Sequence, residues 1–392
     1  MITLGRTAAI LAAVLGWLAA LFAVQPFDYA NLALDRLFGA LPPWTQVENV
    51  RVDAATQEVS RGEDPLRSFA TLERAWSGRP ARRIILMGNS QTQMVSLAKG
   101  EPPPLAPEKT YADQLAETYA RESGALYRLS AGALSYEEML WYATYLAVNP
   151  AIKPDVLLVQ LNYQNFVNGG IRGGMLSLLS HPDMRRRIEE QILRGRPESP
   201  VLAEAVREYD RRERAAAAQG PQGAPAAASA AGWGERVEAG VRGELDRVPG
   251  FGRRAALKQS FTLMLFRCRT YLFHIAPTAR RSLGGARVAV SRAALEDLAD
   301  VCARAGIRLA LFQAPTNPLV PLYRTAGDDR AYHEFTNGLA ARRGLPLLDF
   351  EHSIPAADWG MTLNVPDPLH LSRAGHRILA SEMAAALKQN GL

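Results

Sequence analysis

Ser90 has a sequence setting that suits a reactive serine. It lies in IILMGNSQTQ, residues 84–93, where an apolar run typical of a buried strand meets a tight turn. A serine hydroxyl is a weak nucleophile at neutral pH. It therefore needs a general base, a group that orients this base, and hydrogen-bond donors for the oxyanion that develops.

His370 is the strongest candidate for the general base among six histidines. It lies in VPDPLHLSRAGH, residues 365–376, which the prolines indicate is a loop before the last helix. Asp367 precedes His370 by three residues. In a loop or tight turn this spacing lets the carboxylate reach one imidazole nitrogen while the other nitrogen faces the serine. Taken alone, the same residues also fit an Asp-Pro turn that carries a surface histidine.

Alternating strands and helices must bring these distant residues together. This alternation predicts an α/β fold, a parallel sheet with helices on both faces. Ligands of such sheets bind at the carboxyl ends of the strands, and Ser90, Asn162 and Asp349 each follow a strand there. The predicted strands are 84–87, 126–129, 155–161, 307–315 and 345–350, and the predicted helices are 111–123, 136–148, 291–306 (ended by Gly306), 332–343 and 373–388.

Composition narrows the classes of function. The chain has 392 residues, 48% of them hydrophobic and 21% charged, with a net charge of +6, which could suit an anionic surface. Its arginines are dispersed and no nucleic-acid-binding motif is present, so nucleic acid is a poor partner. Cys268 and Cys302 are the only cysteines and have no metal-ligand spacing, so we do not expect a thiolate metal site. No metal and no cofactor is predicted for the chain. Whether the two cysteines pair as a disulfide stays open.

An uncharged apolar run, Thr7–Val24, indicates export of the chain. Its length is about the minimum for a membrane-spanning helix. Arg6 predicts that the N-terminus stays in the cytoplasm and the body faces outward. We favour an uncleaved anchor over a signal peptide. Either one exports the body of the chain to the periplasm or the outer face of the bacterial membrane. The favoured anchor predicts a single pass in the cytoplasmic membrane with the catalytic domain in the periplasm.

The sequence divides into five segments. Two of them, 83–168 and 288–392, carry the strand and helix pattern, and a charged helical insertion separates them. The clusters Arg185–Arg187 and Arg211–Arg214 of this insertion fit either solvated helix faces or a docking surface for a partner or for phospholipid headgroups. The segments are the anchor at 1–26, a juxtamembrane segment at 27–82, the first half of the catalytic domain at 83–168, the insertion with an Ala/Gly/Pro-rich linker at 169–287, and the second half at 288–392.

Four short blocks together resemble the SGNH/GDSL hydrolase superfamily, over about residues 83–168 and 291–392. The resemblance implies a flavodoxin-like three-layer fold. It also implies a nucleophile at Ser90, an acid–base pair at His370 and Asp367, and an oxyanion hole. The blocks are Gly88-Asn89-Ser90, Gly132 within LSAGALS, Asn162 within LLVQLNYQNF, and Asp367-Pro368-Leu369-His370. The oxyanion hole would take the backbone amides of Ser90 and Gly132 and the side-chain amide of Asn162.

Two positions depart from the family pattern. Asn89 stands where an aspartate is usual, and Gln160-Leu161 stands where the third block usually has a glycine, which leaves Asn165 as an alternative to Asn162. Gly132 also fits a plain turn glycine. Substrate contacts are candidate roles for the polar or aromatic residues Asn89, Gln91, Tyr163, Gln164 and Trp359, each of which also fits ordinary packing.

A serine triad with an oxyanion hole performs acyl transfer. Water as the acceptor gives an esterase, and a sugar hydroxyl gives an O-acyltransferase. The anchor and insertion are similar to those of the alginate O-acetylation proteins and the D-alanine transfer protein of teichoic acids. This similarity implies a cell-surface glycan as substrate and a polytopic membrane-bound O-acyltransferase as partner. The alternatives are a non-catalytic binding or assembly subunit and an esterase of lipids or small esters.

Overall fold

A computed structural model describes most of the chain. The described residues are 26–38, 49–52, 65–78, 80–98, 108–121, 124–130, 132–218, 254–273, 275, 280–320, 324–362 and 365–392. Apart from residue 26, the predicted anchor lies outside them, as does the low-complexity stretch at 220–234. No helix in the described ranges is long and apolar enough to cross a bilayer. The chain divides into two compact units, 49–214 with 278–392 and 1–48 with 215–277.

The larger unit contains all nine strands of the described chain, and the described part of the smaller unit contains helices α1 and α8. The strands are β1 (Asn49–Val52), β2 (Arg82–Gly88), β3 (Gly124–Ser130), β4 (Val156–Leu161), β5 (Arg280–Leu283), β6 (Arg308–Gln313), β7 (Leu347–Asp349), β8 (Trp359–Thr362) and β9 (Val365–Leu371). The helices are α1 (Pro26–Phe38), α2 (Pro65–Trp76), α3 (Tyr111–Arg121), α4 (Tyr136–Val148), α5 (Tyr163–Val167), α6 (Pro182–Leu193), α7 (Ser199–Ala218), α8 (Arg254–Phe273), α9 (Gly285–Ala305), α10 (Ala326–Arg343) and α11 (Arg373–Gln389).

A five-stranded parallel sheet forms the centre of the larger unit, in the order β3-β2-β4-β6-β7. Numbered by their own order in the chain, these strands run 2-1-3-4-5, which is the flavodoxin-like doubly wound order. The order reverses between β2 and β4. Ligands of such folds bind at this reversal, beyond the carboxyl ends of the strands. The predicted α/β fold with a flavodoxin-like parallel sheet is therefore confirmed.

Alternate residues of β2 pack on opposite faces of the sheet, as expected for a strand that is buried on both sides. Ile84 and Leu86 join the apolar layer that contains α3 and α11. Ile85 and Met87 join the layer that contains α4, α9 and α10. All four side chains are fully buried. Burial of each stabilises the fold by about 1.5–3 kcal/mol.

The strands and helices predicted for 83–168 and 288–392 all form, most of them within two residues of the predicted bounds, and three differences are larger. Helix α9 begins at Gly285 rather than residue 291 and ends, as expected, at Gly306, whose φ of 68° is left-handed. Helix α10 begins at Ala326 rather than residue 332, because the side chain of Thr325 accepts a hydrogen bond from the amide of Asp328 and caps the first turn. The predicted loop that contains Asp367 and His370 is wrong, since these residues belong to β9, which pairs with β8.

The predicted insertion contributes to both units. Residues 169–214 lie in the same compact unit as the sheet, together with residues 278–287. Its arginine clusters are paired with neighbouring carboxylates. Arg185 binds Glu189 and Asp210, and Arg212 binds Glu208. This neutralisation favours helix faces with internal ion pairs over a headgroup-binding surface for these clusters.

Candidate active site

The turn after β2 presents Ser90 at the start of a 3₁₀ turn, Ser90–Thr92. The side-chain Oδ1 of Asn89 accepts from the amide of Gln91 at 2.9 Å, and its carbonyl accepts from the amide of Thr92 at 3.0 Å. An aspartate could supply the same capping oxygen. Asn89 therefore preserves the geometry of the turn and removes a negative charge from the position next to Ser90.

Ser90, His370 and Asp367 form one hydrogen-bonded chain. The Oγ of Ser90 lies 3.0 Å from Nε2 of His370, and Nδ1 of His370 lies 3.0 Å from Oδ2 of Asp367. The carboxylate can only accept, so Nδ1 carries the hydrogen and Nε2 offers its lone pair to the serine hydroxyl. Asp367 is 3% exposed, whereas the His370 side chain retains 17% exposure. The base can thus reach a ligand while the carboxylate stays shielded from water.

A local irregularity in the β8–β9 pair places Asp367 beside His370. Leu371 pairs with Trp359, and Pro366 pairs with Met361, so the residues between Pro366 and Leu371 bulge out of the ladder. Within this bulge, Oδ1 of Asp367 accepts from the amide of His370 at 2.9 Å, which closes a tight turn. The three-residue spacing therefore works through a turn, as the sequence predicts, although the turn lies inside a strand.

Two fully buried glutamines join the serine turn to the histidine segment. The Oε1 of Gln160, on β4, accepts from the amide of Asn89 at 2.9 Å, and its Nε2 donates to Oε1 of Gln91 at 2.7 Å. The Nε2 of Gln91 donates in turn to the carbonyl of Leu369 at 2.9 Å, next to His370. This glutamine pair fixes the backbone on both sides of the contact between Ser90 and His370.

Gly88 makes room for the glutamine pair. A Cβ at this position would lie 2.8 Å from Oε1 of Gln160 and 2.3 Å from Cγ2 of Thr92. Both separations are too short for real atoms, so the Gln160 amide can approach the turn only because residue 88 is glycine. The role of Gln160 was not predicted from the sequence. The signal was available, because an amide inside a buried apolar strand must find hydrogen-bond partners.

The candidate oxyanion donors follow adjacent strands at the same edge of the sheet. Gly88 of β2 pairs with Ser130 of β3, so Ser90 and Gly132 each come two residues beyond a paired position. Within the described residues, the backbone N–H groups of Ser90 and Gly132 donate to no recorded acceptor. Gly132 is exposed, with open space around it.

Asn162 follows β4 and caps α5. Its Oδ1 accepts from the amide of Gln164 at 2.9 Å, which fixes the side chain, and Asn162 is 4% exposed. The alternative, Asn165, is fully buried, and its Nδ2 donates to the carbonyl of Leu134 at 2.6 Å. This contact gives Asn165 a structural role and favours Asn162 as the donor to a ligand.

An internal ion pair holds α5 in place behind Asn162. Arg287 and Glu137 are both fully buried, with 2.6 Å between Nη2 and Oε1. Arg287 also donates through Nε to the carbonyl of Phe166, on α5, at 2.9 Å. Burial raises the pKa of the Glu137 carboxyl, and Arg287 partly offsets this effect. The pair therefore ties α9 and α4 to the helix that Asn162 caps.

The candidate substrate contacts are mostly buried. Asn89, Gln91 and Tyr163 are at most 3% exposed, and the hydroxyl of Tyr163 donates to the carbonyl of Arg281 at 3.0 Å. Trp359 is also 3% exposed. Gln164 alone among them is half-buried. These contacts favour packing and positioning for the buried side chains. Asp349 is exposed and binds the amide of Glu351.

One carboxylate and histidine cluster could in principle hold a metal. Asp329, His333 and Glu351 place ligand atoms within 4.8 Å of one another. The guanidinium of Arg324, however, donates to both Asp329 and Glu351. Burial tends to raise the pKa of Glu351, but Arg324 and His333 outweigh it and hold the pKa below its usual value. Arg324 thus already neutralises two of the three candidate ligands.

A second histidine, His376, connects helices next to the candidate site. His376 is fully buried; its Nδ1 accepts from the amide of Tyr111 at 3.1 Å, and its Nε2 lies 3.0 Å from the carbonyl of Met94. Burial lowers the pKa of His376 to about 4. The ring is therefore neutral at pH 7, with the hydrogen on Nε2, and it links α11 to α3 and to the segment after Ser90.

Comparisons with known proteins return only distant structural likenesses. No protein-family profile matches the chain, and no curated protein matches it. A putative acylhydrolase from Bacteroides fragilis shares 9% identity, covering 83% of this chain and 96% of its own, with a TM-score of 0.36. A GDSL-like lipase from Bacteroides thetaiotaomicron shares 8% identity, covering 83% of this chain and 97% of its own, with a TM-score of 0.36. An acetylxylan esterase from Geobacillus stearothermophilus shares 12% identity, covering 79% and 94%, with a TM-score of 0.35. Values this low define neither a family nor an activity for this chain.

Proposed function

We propose that this chain is a serine-dependent acyl-transfer enzyme of the SGNH/GDSL type, which works through an acyl-serine intermediate. The observation that carries the proposal is the hydrogen-bonded chain from Ser90 through His370 to Asp367, with both distances at 3.0 Å. Its position at the reversal of strand order, where doubly wound folds bind ligands, supports the same conclusion.

The proposed reaction has two halves. Nε2 of His370 takes the proton from Ser90 as Oγ attacks the acyl carbonyl carbon, and Asp367 stabilises the imidazolium. The backbone amides of Ser90 and Gly132 and the amide of Asn162 donate to the oxyanion. The alkoxide leaving group departs with the proton from Nε2. A second hydroxyl then gives its proton to Nε2 and attacks the acyl-serine. The bond between the acyl carbon and Oγ breaks, and Nε2 returns the proton to Oγ, which regenerates free Ser90.

The acceptor in the second half defines the enzyme. We propose a sugar hydroxyl of a cell-envelope or exported polysaccharide, with water as the competing acceptor. The support comes from the sequence. The apolar run at Thr7–Val24 favours an outward-facing protein on the bacterial cytoplasmic membrane, and its similarity to envelope O-acetylation proteins favours a membrane-bound O-acyltransferase as the source of acyl groups.

Competition between acceptors tests this assignment. The full chain in detergent is incubated with p-nitrophenyl acetate, with and without a neutral or acidic oligosaccharide. Mass spectrometry then measures acetylated oligosaccharide and free acetate. We expect acetylated oligosaccharide with wild type and none with Ser90→Ala. If free acetate is the only product, the enzyme is an esterase and not a transferase. Equal rates of p-nitrophenyl acetate turnover for wild type and Ser90→Ala would refute the proposed enzymatic activity. They would favour the alternative, a non-catalytic binding subunit.

A further inference from the structure

Charged side chains hold the segment between α6 and α7, residues 194–198, on helix α9. The Nη1 of Arg196 donates to Oδ1 of Asp297 at 2.7 Å, and its Nη2 donates to Oε2 of Glu296 at 2.8 Å. Both carboxylates belong to α9. This contact therefore fastens the predicted insertion to the helix that also carries Arg287.

Glu198 brings a third carboxyl group to the same place. Glu198 and Asp297 are both fully buried, and Nε of Arg196 lies 4.0 Å from Oε1 of Glu198. The carboxyl groups of Glu198 and Asp297 lie within hydrogen-bonding reach of each other. Within the described residues, neither oxygen of the Glu198 carboxyl accepts a well-formed hydrogen bond, and nor does Oδ2 of Asp297. Buried oxygens are rarely left in this state, so the arrangement needs a physical reason.

A proton between the two carboxyl groups supplies that reason. An ionised carboxylate can only accept a hydrogen bond, whereas a protonated carboxyl group also donates one. Two carboxyl groups that share a buried site cannot both ionise easily, so one of them keeps its proton. Asp297 is the ionised member, because Arg196 binds it at 2.7 Å and Nη1 of Arg194 lies 3.8 Å from its Oδ2. Glu198, which is 4.0 Å from Arg196, carries the proton.

The charges around Glu198 balance only when Glu198 is neutral. Two arginines of the segment 194–198 then face two carboxylates of α9, and Nη2 of an arginine on α10 lies 3.4 Å from one of these carboxylates. An ionised Glu198 would add a buried negative charge beside Asp297. The facing groups are Arg194 and Arg196 of the segment, Glu296 and Asp297 of α9, and Arg342 of α10.

We propose that the Glu198–Asp297 pair is a pH-sensitive contact that releases the segment 194–198 from α9 when Glu198 gives its proton to solvent. In the closed form, the O–H of Glu198 donates to Oδ2 of Asp297. Loss of this proton leaves two carboxylates side by side in a buried site, where they repel each other. Release of the segment lets water hydrate both groups.

The pKa of Glu198 defines the pH range of this contact. Burial raises this pKa from a usual value of 4.5 to about 7; the backbone amide of Glu198 opposes the rise, and the Asp297 carboxyl adds to it. In the released segment the pKa returns to its usual value. The contact is therefore most stable below pH 4.5 and loses this stabilisation as the pH rises to 7. The ratio of released to closed segments should increase about 40-fold between pH 5 and pH 7.

Hydrogen exchange of the full chain, measured by mass spectrometry, tests this contact. The amides of Val201 and Leu202 donate to the carbonyl of Glu198 at 3.0 and 3.2 Å, so a peptide that spans residues 194–202 reports release. Its protection factor, which corrects for the intrinsic pH dependence of exchange, should fall about 40-fold in wild type from pH 5 to pH 7. Glu198→Gln should show no such fall, because its amide can donate to Asp297 at either pH. Glu190→Gln is the matched control, since Glu190 is 41% exposed on α6, and it should behave as wild type.

A wild-type protection factor that stays constant between pH 5 and pH 7 would overturn the proposal, as would an equal fall in Glu198→Gln. Glu198→Met places an apolar side chain of similar length at this position, and it should also lose the pH dependence. Circular dichroism of each variant verifies that it is folded. Because the readout is amide exchange, it is independent of whether Ser90 is a nucleophile.

Discussion

Replacement of Gln160 by leucine tests whether the glutamine pair positions the reacting groups. The change removes the acceptor for the amide of Asn89 and the donor to Gln91. A buried polar group without a partner costs about 1–3 kcal/mol, so two such groups destabilise the fold by about 2–6 kcal/mol, less the apolar gain from leucine. A displacement of about 1 Å at the reacting atoms costs about 100-fold in rate. We therefore expect kcat to fall by about 100-fold with KM unchanged.

The measurement is steady-state hydrolysis of p-nitrophenyl acetate together with urea unfolding. Gln191→Leu is the matched control, because Gln191 is also buried, at 2% exposure, and its Nε2 contacts Thr144 on α4 rather than the serine turn. The control should lose stability and keep its kcat. Gln91→Leu in the Gln160→Leu background should add much less than it costs alone, since both act through one chain of hydrogen bonds.

A Gln160→Leu enzyme with a kcat near that of wild type, and a stability loss like that of Gln191→Leu, would refute the reasoning. The pair would then be an ordinary buried amide contact. A kcat loss that is fully additive between Gln91→Leu and Gln160→Leu would also contradict it, because independent effects cannot come from a shared network.

Three further predictions concern the groups around the site. Asp367→Asn should lower kcat by about 10³–10⁴-fold in the ester assay without changing the melting temperature much; a loss below tenfold would remove Asp367 from the triad. His376 is neutral in the fold, with a pKa of about 4 against a usual value of 6.5, so the unfolded chain alone gains a proton as the pH falls from 6.5 to 4. Stability should drop by about 3 kcal/mol over that range, and urea unfolding of His376→Gln should show a shallower pH dependence than wild type. Arg287→Ala, which strands the buried carboxylate of Glu137, should cost about 3–5 kcal/mol, whereas Arg287→Met with Glu137→Leu should cost less; equal losses in thermal unfolding would contradict the ion-pair account.

Apolar periodicity predicts the sheet well and predicts polar contacts poorly. The bounds of α4 coincide with the predicted Tyr136–Val148. Its start is set by a capping box between Ser135 and Glu138, a signal carried by neighbouring residues. The start of α10 was missed because its first turn is polar and depends on the cap at Thr325. Local signals thus fix an element only where its pattern is apolar or its cap is recognised.

In the candidate site too, features set by local sequence can be predicted, and features that depend on tertiary contacts cannot. Ser90, Asp367 and His370 can be chosen from the sequence because their residue types and local spacing carry the chemistry. The bulge in β9 cannot be predicted, since it depends on pairing with β8. The contact between Gln160 and Asn89 joins residues 71 positions apart, and it depends on the missing side chain at Gly88. The space beside Gly88 that admits the Gln160 amide can be seen only in the folded structure.

Covalent labelling of Ser90 tests the central proposal most directly. The full chain is incubated with a fluorophosphonate, and the peptide that carries the adduct is identified by mass spectrometry. We predict one adduct on Ser90, no adduct on Ser90→Ala, and a rate about 10³-fold lower for His370→Ala. Absence of labelling in folded wild-type protein, or undiminished labelling of Ser90→Ala, would contradict a nucleophilic role for this serine.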